Sequence, residues 1–169
     1  VRAAGAAGAR GLAARQWHGH ARATVVCGTC DHGVQLGVKG HMYKDVPFEE
    51  TARVPLLLRA PGLTPPGGAQ TDHVASLVDL LPTIAELAGL APAPGGFEGA
   101  SLAPALRDPS RAGVGLGFAV TRVVVPVLPL GSAVAWSVRS RRWRYIHYPS
   151  SGADLYSMTD DPRQLTNLA

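Results

Sequence analysis

The sequence has no uninterrupted apolar run of about 18 residues, the length that a membrane-spanning helix requires. The nearest stretch, VVVPVLPLGSAVAW at residues 123–136, is short and contains two prolines, which disfavour a helix. Charged residues make up only 17% of the chain, whereas 46% of its residues are hydrophobic. This balance excludes a disordered chain and predicts a globular one without a membrane partner. The 169 residues are enough for one sizeable core.

Cysteine is nearly absent, and the only two, Cys27 and Cys30, stand at C-x-x-C spacing in the stretch CGTCDHG. A structural zinc site needs four nitrogen or sulfur ligands, and no second cysteine pair or suitably spaced histidine pair follows. A thioredoxin-type pair belongs at a helix N-terminus, whereas Cys27 falls within a predicted strand. We therefore expect both cysteines to be small buried residues at a strand end, without redox or zinc chemistry.

Positive charge exceeds negative charge, since 16 Lys and Arg residues face 12 Asp and Glu residues. Much of the excess comes from arginines in the first 22 residues and in residues 139–144. Arginines interleaved with Trp143 and Tyr145 could bind single-stranded nucleic acid, so a non-catalytic basic binding module is one alternative. The alternation favours a two-sided hairpin with its arginines in solvent, and hence no nucleic-acid partner.

Two polar residues, Asp31 and His32, follow the β-branched run TVVC at residues 24–27. That run predicts a buried strand of an α/β sheet, and ligands of open α/β sheets bind at the carboxyl ends of the strands. Residues 33–46 have three glycines and no clean period, which predicts an ordered loop carrying Lys44. A carboxylate for a hard cation, an imidazole and an ammonium group together suit a site for an oxyanion.

The remaining pattern predicts α/β structure first and antiparallel β structure second. A second buried strand is expected at residues 54–59, and a helix beginning at Asp79 is expected to hold Pro82 in its first turn and to stop at Gly89. Leu80, Ile84 and Leu87 would form its buried face. Residues 91–100 are rich in Pro and Gly and predict a connection. Residues 133–148 predict two strands turning near residues 140–142, and a short strand and a turn at Asp160-Asp161-Pro162 complete the chain.

These segments, taken in order, resemble the C-terminal part of a type I sulfatase of the alkaline-phosphatase-like superfamily, in its arylsulfatase and iduronate-sulfatase-like branches. The resemblance rests on the segments DHGVQLGVKGHMYKDVPFEETARVPLLLRAPG, HVASLVDLLPTIAELAGL, SLAPALRDPS, AWSVRSRRWRYIHY and DLYSMTDDPRQLTNLA. It implies an α/β sandwich of the alkaline-phosphatase-like fold with a small antiparallel β subdomain. The implied division is a poorly matching segment at 1–23, the C-terminal part of the catalytic domain at 24–108, and the β subdomain at 109–169.

The resemblance also implies roles for three residues. Asp31 and His32 match the metal-binding positions of the family and would bind Ca²⁺, although an imidazole is an unusual ligand for a hard cation. Lys44 matches the catalytic lysine that contacts the sulfate group of a sulfate ester substrate. His41 lies nearby without an assignable role.

The family nucleophile, a formylglycine made within a C/S-x-P-x-R motif, has no counterpart in this sequence. The chain begins without Met and lacks the metal-binding aspartates that the family carries upstream, so we expect a C-terminal fragment that is inactive alone. A sheet without its upstream strands would leave an open edge and an uncovered apolar face. A phosphomonoester or phosphonate hydrolase of the same superfamily is the alternative enzyme, because phosphate suits the same site.

Overall fold

The computed structural model describes residues 19–91, 96–111, 113–127 and 131–169, and the side chains of residues 125–127, 131 and 132 are not described. The described part contains strands, short helices and two 3₁₀ turns. The strands are β1 (Val26–Thr29), β2 (Gln35–Leu36), β3 (Met42–Tyr43), β4 (Leu56–Arg59), β5 (Phe118–Val127), β6 (Gly131–Ser140), β7 (Trp143–Tyr148) and β8 (Gly152–Ser157). The helices are α1 (Glu49–Ala52), α2 (Leu80–Leu87) and α3 (Ala103–Arg107), and the 3₁₀ turns are Val38–Gly40 and Leu77–Asp79.

Strands β1 and β4 pair with each other as an antiparallel two-stranded sheet, in which Val26 lies opposite Arg59. Strand β1 begins two residues later than the sequence pattern predicts. The prediction of two buried strands is wrong for one side of this sheet, since the Leu57 side chain is 72% exposed. The other side is covered, because Leu56 and Leu58 pack against a small core that also contains Leu102, Ala105 and Val114.

The expected loop at residues 33–46 has internal pairing. Its strands β2 and β3 form a two-residue antiparallel ladder in which Gln35 lies opposite Tyr43. The 3₁₀ turn Val38–Gly40 forms the tip of this hairpin. Lys39 and Tyr43 both have left-handed backbone conformations, at φ 56° and φ 80°, which are unusual for non-glycine residues. The loop is thus an ordered hairpin with a strained backbone immediately before Lys44.

Asp79 stands at the N-cap position of helix α2, as the sequence predicts. Asp79 does not cap it through its side chain; instead, Ser76 and Asp79 form a capping box around the preceding 3₁₀ turn. The Asp79 carboxylate accepts the N–H of Ser76 at 2.8 Å and that of Ala100 at 2.9 Å. Pro82 lies in the first turn, as expected. The buried position of Asp79 therefore comes from a contact with residue 100, which no local pattern encodes.

Helix α2 ends at Gly89, as the sequence predicts, whereas the prediction of its buried face is wrong. Gly89 has φ 68°, its N–H donates to Glu86, and the N–H of Leu90 donates to Ala85, which is the Schellman arrangement. Ile84 is nevertheless 43% exposed. The predicted Pro/Gly-rich connection at residues 91–100 lies partly outside the described residues, because 92–95 are not described.

The C-terminal half forms a four-stranded antiparallel sheet in the order β5-β6-β7-β8. The predicted hairpin is β6–β7, in which Arg139 lies opposite Arg144, and the predicted short strand is β8. Strand β5 was not expected, because the prolines of residues 123–136 obscured it. Phe48 and Val46 pack on one face of this sheet, so residues on both sides of the predicted domain boundary at residue 109 share a core. The boundary itself stays a prediction.

The faces of this sheet are reversed relative to the expected pattern. Ala135, Ile146, Tyr156 and Met158 form the covered face, while several aromatic and aliphatic side chains face solvent. The exposed set comprises Phe118, Val120, Trp136, Val138, Trp143 and Tyr145. Arg144, expected in solvent, is only 2% exposed, because it pairs with an acidic residue below the sheet. Among the described residues, no helix is long and apolar enough to cross a membrane.

Candidate active site

The Asp31–His32 pair follows β1 directly, as the sequence predicts, and its carboxylate is open to solvent. The Asp31 side chain is 87% exposed and that of His32 is 36% exposed. Asp31 accepts the backbone N–H of His32 at 3.0 Å, and its other oxygen lies 3.5 Å from Nε2 of His32. A carboxylate with free lone pairs therefore stands beside an imidazole at the end of a strand.

Gly33 fixes this pair against helix α1. Its N–H donates to the carbonyl of Thr51 at 2.7 Å, and a Cβ atom at this position would lie 2.0 Å from the carbonyl oxygen of Glu50. No side chain fits at that distance, so the close approach of the two backbones requires glycine. A second contact joins helix α1 to the segment that follows Gly33, since Gln35 donates to the Glu50 carboxylate at 3.1 Å.

Lys44 and His32 are in direct contact, with Nζ of Lys44 3.1 Å from Nε2 of His32. The other ring nitrogen, Nδ1, lies 2.9 Å from the carbonyl oxygen of Gly33. Because a carbonyl only accepts, Nδ1 must carry the proton, which leaves Nε2 of the neutral ring as the acceptor for the Lys44 ammonium. The hairpin β2–β3 thus brings the three predicted site residues, Asp31, His32 and Lys44, together.

The described residues contain no group of three or more His, Cys, Asp or Glu side chains that could hold a metal ion. Asp31 and His32 supply two donors, one of them an oxygen, which is the ligand type that Ca²⁺ prefers. The donor chemistry fits a part of a calcium site. His41, which the sequence left without a role, lies with its ring 5.6 Å from that of Phe48.

Glu49 is a partly buried charged residue near the site that the sequence analysis missed. Its carboxylate pairs with Arg139 at 3.1 Å and with Arg144, whose guanidinium also donates to the carbonyl of Pro47 at 3.0 Å. Burial alone would raise the pKa of Glu49, but hydrogen bonds and charges from both arginines outweigh it and lower the pKa below 4.5. The residues are 90 or more positions apart in sequence, so only the fold reveals this pair.

The other sequence candidates have ordinary surroundings. Both cysteines are exposed and free, so the expectation that they are buried is wrong: the strand that carries Cys27 is covered on one side only. Arg141 pairs with Asp72 at 2.9 Å, and the guanidinium carbon of Arg142 lies 5.3 Å from the centre of the Trp143 ring. The arginines of residues 139–144 are therefore engaged within the chain.

Comparisons with known proteins point to one family. The sulfatase family model matches residues 14–90, a range that begins within the segment predicted to match poorly. Arylsulfatase K of Homo sapiens is 32% identical over 157 residues, covering 86% of this chain and 28% of that protein. The chain therefore spans less than a third of that relative's length.

Two solved structures extend the agreement to the fold. A protein in complex with its substrate D-glucosamine-2-N,6-O-disulfate has a TM-score of 0.80 and 26% identity, covering 95% of this chain and 33% of its own. The phosphonate monoester hydrolase of Agrobacterium radiobacter has a TM-score of 0.75 and 26% identity, covering 95% of this chain and 34% of its own.

The fold is that of the alkaline-phosphatase-like hydrolases. Within this class, the sulfatase family model over residues 14–90, together with the relatives and neighbours above, supports a type I sulfatase over part of the chain.

Proposed function

We propose that this chain supplies metal-binding and sulfate-binding side chains to a site that hydrolyses sulfuric esters. The observation that carries the proposal is the cluster of Asp31, His32 and Lys44, in which the ammonium group lies 3.1 Å from the imidazole. The match to the sulfatase family model over residues 14–90 and the likeness to arylsulfatase K support the reaction class. The substrate class, the metal and the role of each residue are parts of the proposal.

Asp31 is proposed as the principal ligand for Ca²⁺, with His32 as a second ligand. The exposed carboxylate of Asp31 can accept a hard cation without first losing a buried partner. Calcium takes six to eight ligands, so the others would come from outside the described residues. The ion would neutralise negative charge that develops on the sulfuryl oxygens as the ester bond breaks.

Lys44 is proposed to bind a sulfuryl oxygen through its ammonium group. An ammonium has three donors, of which the contact with His32 uses one. Nε2 of His32 has a single lone pair, so it cannot bind a cation and accept a hydrogen bond from Lys44 together. Coordination by His32 would therefore free Lys44 to turn toward the substrate, while the Nδ1–H bond to Gly33 keeps the ring in place.

The nucleophile must come from outside these residues, because the 169-residue sequence has no C/S-x-P-x-R motif. We infer that the chain alone binds sulfate but does not hydrolyse sulfate esters. Activity then requires a polypeptide that joins this chain to a segment carrying the motif.

The experiment is a titration of the ¹⁵N-labelled 169-residue chain with CaCl₂ and then with sodium sulfate, followed by NMR. We expect weak binding, on the order of millimolar for Ca²⁺, because only part of the ligand set is present. Lys44→Ala should abolish the sulfate-induced shifts, whereas the control Arg142→Ala, at an exposed position between β6 and β7, should retain them. Sulfate shifts unchanged by Lys44→Ala would overturn the role of Lys44, and release of 4-nitrophenol from 4-nitrophenyl sulfate by the chain alone would overturn its inactivity.

A phosphonate or phosphomonoester hydrolase is the second candidate, favoured by the structural likeness to phosphonate monoester hydrolase. A phosphomonoester dianion carries more negative charge than a sulfate ester, whereas a phosphonate monoester carries the same single charge, and a cation with a lysine would stabilise either. Titration of the chain with sulfate, phosphate and methylphosphonate under identical conditions separates the candidates. Tighter binding of methylphosphonate than of sulfate would favour the second.

A further inference from the structure

Gln164 is fully buried although it lies in the polar C-terminal segment. Its side chain has no exposed surface, and its backbone is left-handed at φ 56°. A non-glycine residue in this conformation is uncommon and persists where surrounding contacts hold it. Its N–H donates to the carbonyl of Asp161 at 2.9 Å, within the turn that ends the sheet.

Gln164 holds the first residue of helix α1. Its Oε1 accepts the backbone N–H of Glu49 at 2.7 Å, across 115 positions in sequence. The first N–H groups of a helix have no partner within the helix, so this contact acts as an N-terminal cap. Because α1 holds Gly33 through the carbonyl of Thr51 at 2.7 Å, a shift of α1 would move the residue next to His32.

Gln164 also holds the tip of the hairpin that precedes Lys44. Its carbonyl oxygen accepts a hydrogen bond from the ammonium group of Lys39. The same ammonium lies 3.0 Å from the hydroxyl of Tyr156 and 4.8 Å from the ring centre of Phe48. These contacts offset the left-handed backbone of Lys39 at φ 56°, which would otherwise relax.

We propose that Gln164 is a positioning residue that sets the separation of Lys44 from His32. The side-chain amide of Gln164 holds α1 beneath His32. Its backbone carbonyl holds the hairpin that precedes Lys44. The assignment of a sulfate role to Lys44 rests on the proposed function, whereas the positioning itself concerns geometry alone.

The test compares Gln164→Gly with wild type in the full 169-residue chain. Glycine tolerates φ 56° without strain, so the variant removes the amide without disturbing the backbone. Gln164→Glu is the conservative rescue, because it keeps an acceptor at the Oε1 position and a carboxylate is favoured near a helix N-terminus. Gln70→Gly, at an exposed loop position, is the matched control.

Two NMR readouts measure the site. The first is hydrogen exchange of the Gly33 amide, expected to quicken about fivefold in Gln164→Gly, because a net hydrogen bond contributes about 1 kcal/mol and each 1.4 kcal/mol is a factor of about ten. The second is the ¹⁵N resonance of Nε2 of His32, expected to move as Lys44 withdraws. Gln164→Glu and Gln70→Gly should match wild type in both.

The outcomes are distinct. The positioning role would be overturned if Gln164→Gly gave wild-type values in both readouts. It would also be overturned if exchange increased equally at Gly33 and at the sheet residues Ile146 and Tyr156, because an equal increase indicates general destabilisation. If Gln164→Gly changes the site while wild type shows no response to sodium sulfate, the proposed function fails and the positioning role stands.

Discussion

The ammonium group of Lys44 lies 3.1 Å from Nε2 of His32, twelve residues apart in sequence. The same ring nitrogen is the one available to a cation, because Nδ1 donates to the carbonyl of Gly33 at 2.9 Å. The one lone pair of Nε2 can therefore serve either the proposed metal ion or Lys44, the proposed sulfate-binding residue.

Calcium should break the contact between Lys44 and His32. On addition of CaCl₂ we expect the ¹⁵N resonance of Nε2 of His32 to shift, while that of the exposed His147 on β7 does not. Asp31→Asn should abolish the response, because it removes the charge that attracts the cation. Equal responses at His32 and His147 would indicate non-specific binding and contradict the site.

Loss of Lys44 should slow hydrolysis in a polypeptide that joins this chain to a segment with the C/S-x-P-x-R motif. We expect Lys44→Ala to lower kcat for 4-nitrophenyl sulfate about 100-fold to 1000-fold, the effect of removing one donor to a developing oxyanion. Arg142→Ala serves as the control with unchanged kcat. A kcat reduced less than about threefold in Lys44→Ala would argue that another cation binds the sulfate.

Removal of the Glu49 charge should destabilise the fold. Glu49→Gln leaves Arg144, which is 2% exposed, without its anionic partner, and we expect a loss of about 3 to 5 kcal/mol in the free energy of unfolding. Glu86→Gln, which breaks the exposed pair with Arg107 at 3.0 Å, should cost less than about 1 kcal/mol. Urea unfolding of both variants measures the difference, and similar losses would contradict the buried role of Glu49.

Glu49 should also make the free energy of unfolding depend on pH. Because the pKa of Glu49 is lower in the folded chain than its ordinary 4.5, the stabilisation is present above pH 4.5 and is lost as pH falls toward the folded value. Wild type should therefore lose more stability below pH 4.5 than Glu49→Gln does. Parallel stability profiles for the two proteins would show that the carboxylate does not contribute this effect.

A methyl group at Gly33 should disrupt the site and the fold together. In Gly33→Ala the new Cβ would lie 2.0 Å from the carbonyl oxygen of Glu50, so the Asp31–His32 segment must move away from α1. Gly28→Ala is the control within β1, because its Cβ would meet Leu57 at an ordinary 3.8 Å. We expect a lower melting temperature only for Gly33→Ala; equal melting temperatures would mean that the two backbones separate freely.

Single-stranded DNA should not bind the hairpin β6–β7. Arg139 and Arg144 pair with Glu49, and Arg141 pairs with Asp72, so little free positive charge is presented. Fluorescence titration with a labelled oligonucleotide should show no salt-dependent association. Micromolar binding that weakens with salt would revive the nucleic-acid alternative.

Local signals in the sequence predicted local features well. Gly89 ends helix α2, β4 follows Pro55, and β6–β7 turns near residues 140–142, because each depends on backbone conformations set by neighbouring residues. Asp31, His32 and Lys44 were selected by residue type and family resemblance, and they do lie together. Their roles in catalysis and metal binding stay predictions.

The sequence failed where burial depends on distant partners. Its alternation along β6 and β7 predicted two faces, with the arginines on the face in solvent. The structure buries Arg144 instead, because Glu49 and the carbonyl of Pro47 lie under that face. Alternation defines which residues share a face and not which face is covered, since coverage depends on the other elements.

The sequence by itself determined the hairpin β6–β7, the end of helix α2 at Gly89, the family resemblance and the residue types of the site. Only the tertiary structure decided how the site is held: Gln164 reaches Glu49 and Lys39 across 115 and 125 positions. The physical reason is that a hydrogen bond between such distant residues leaves no periodic trace in the chain. It forms only when hydrophobic packing of Phe48 against Tyr156 brings the two segments together.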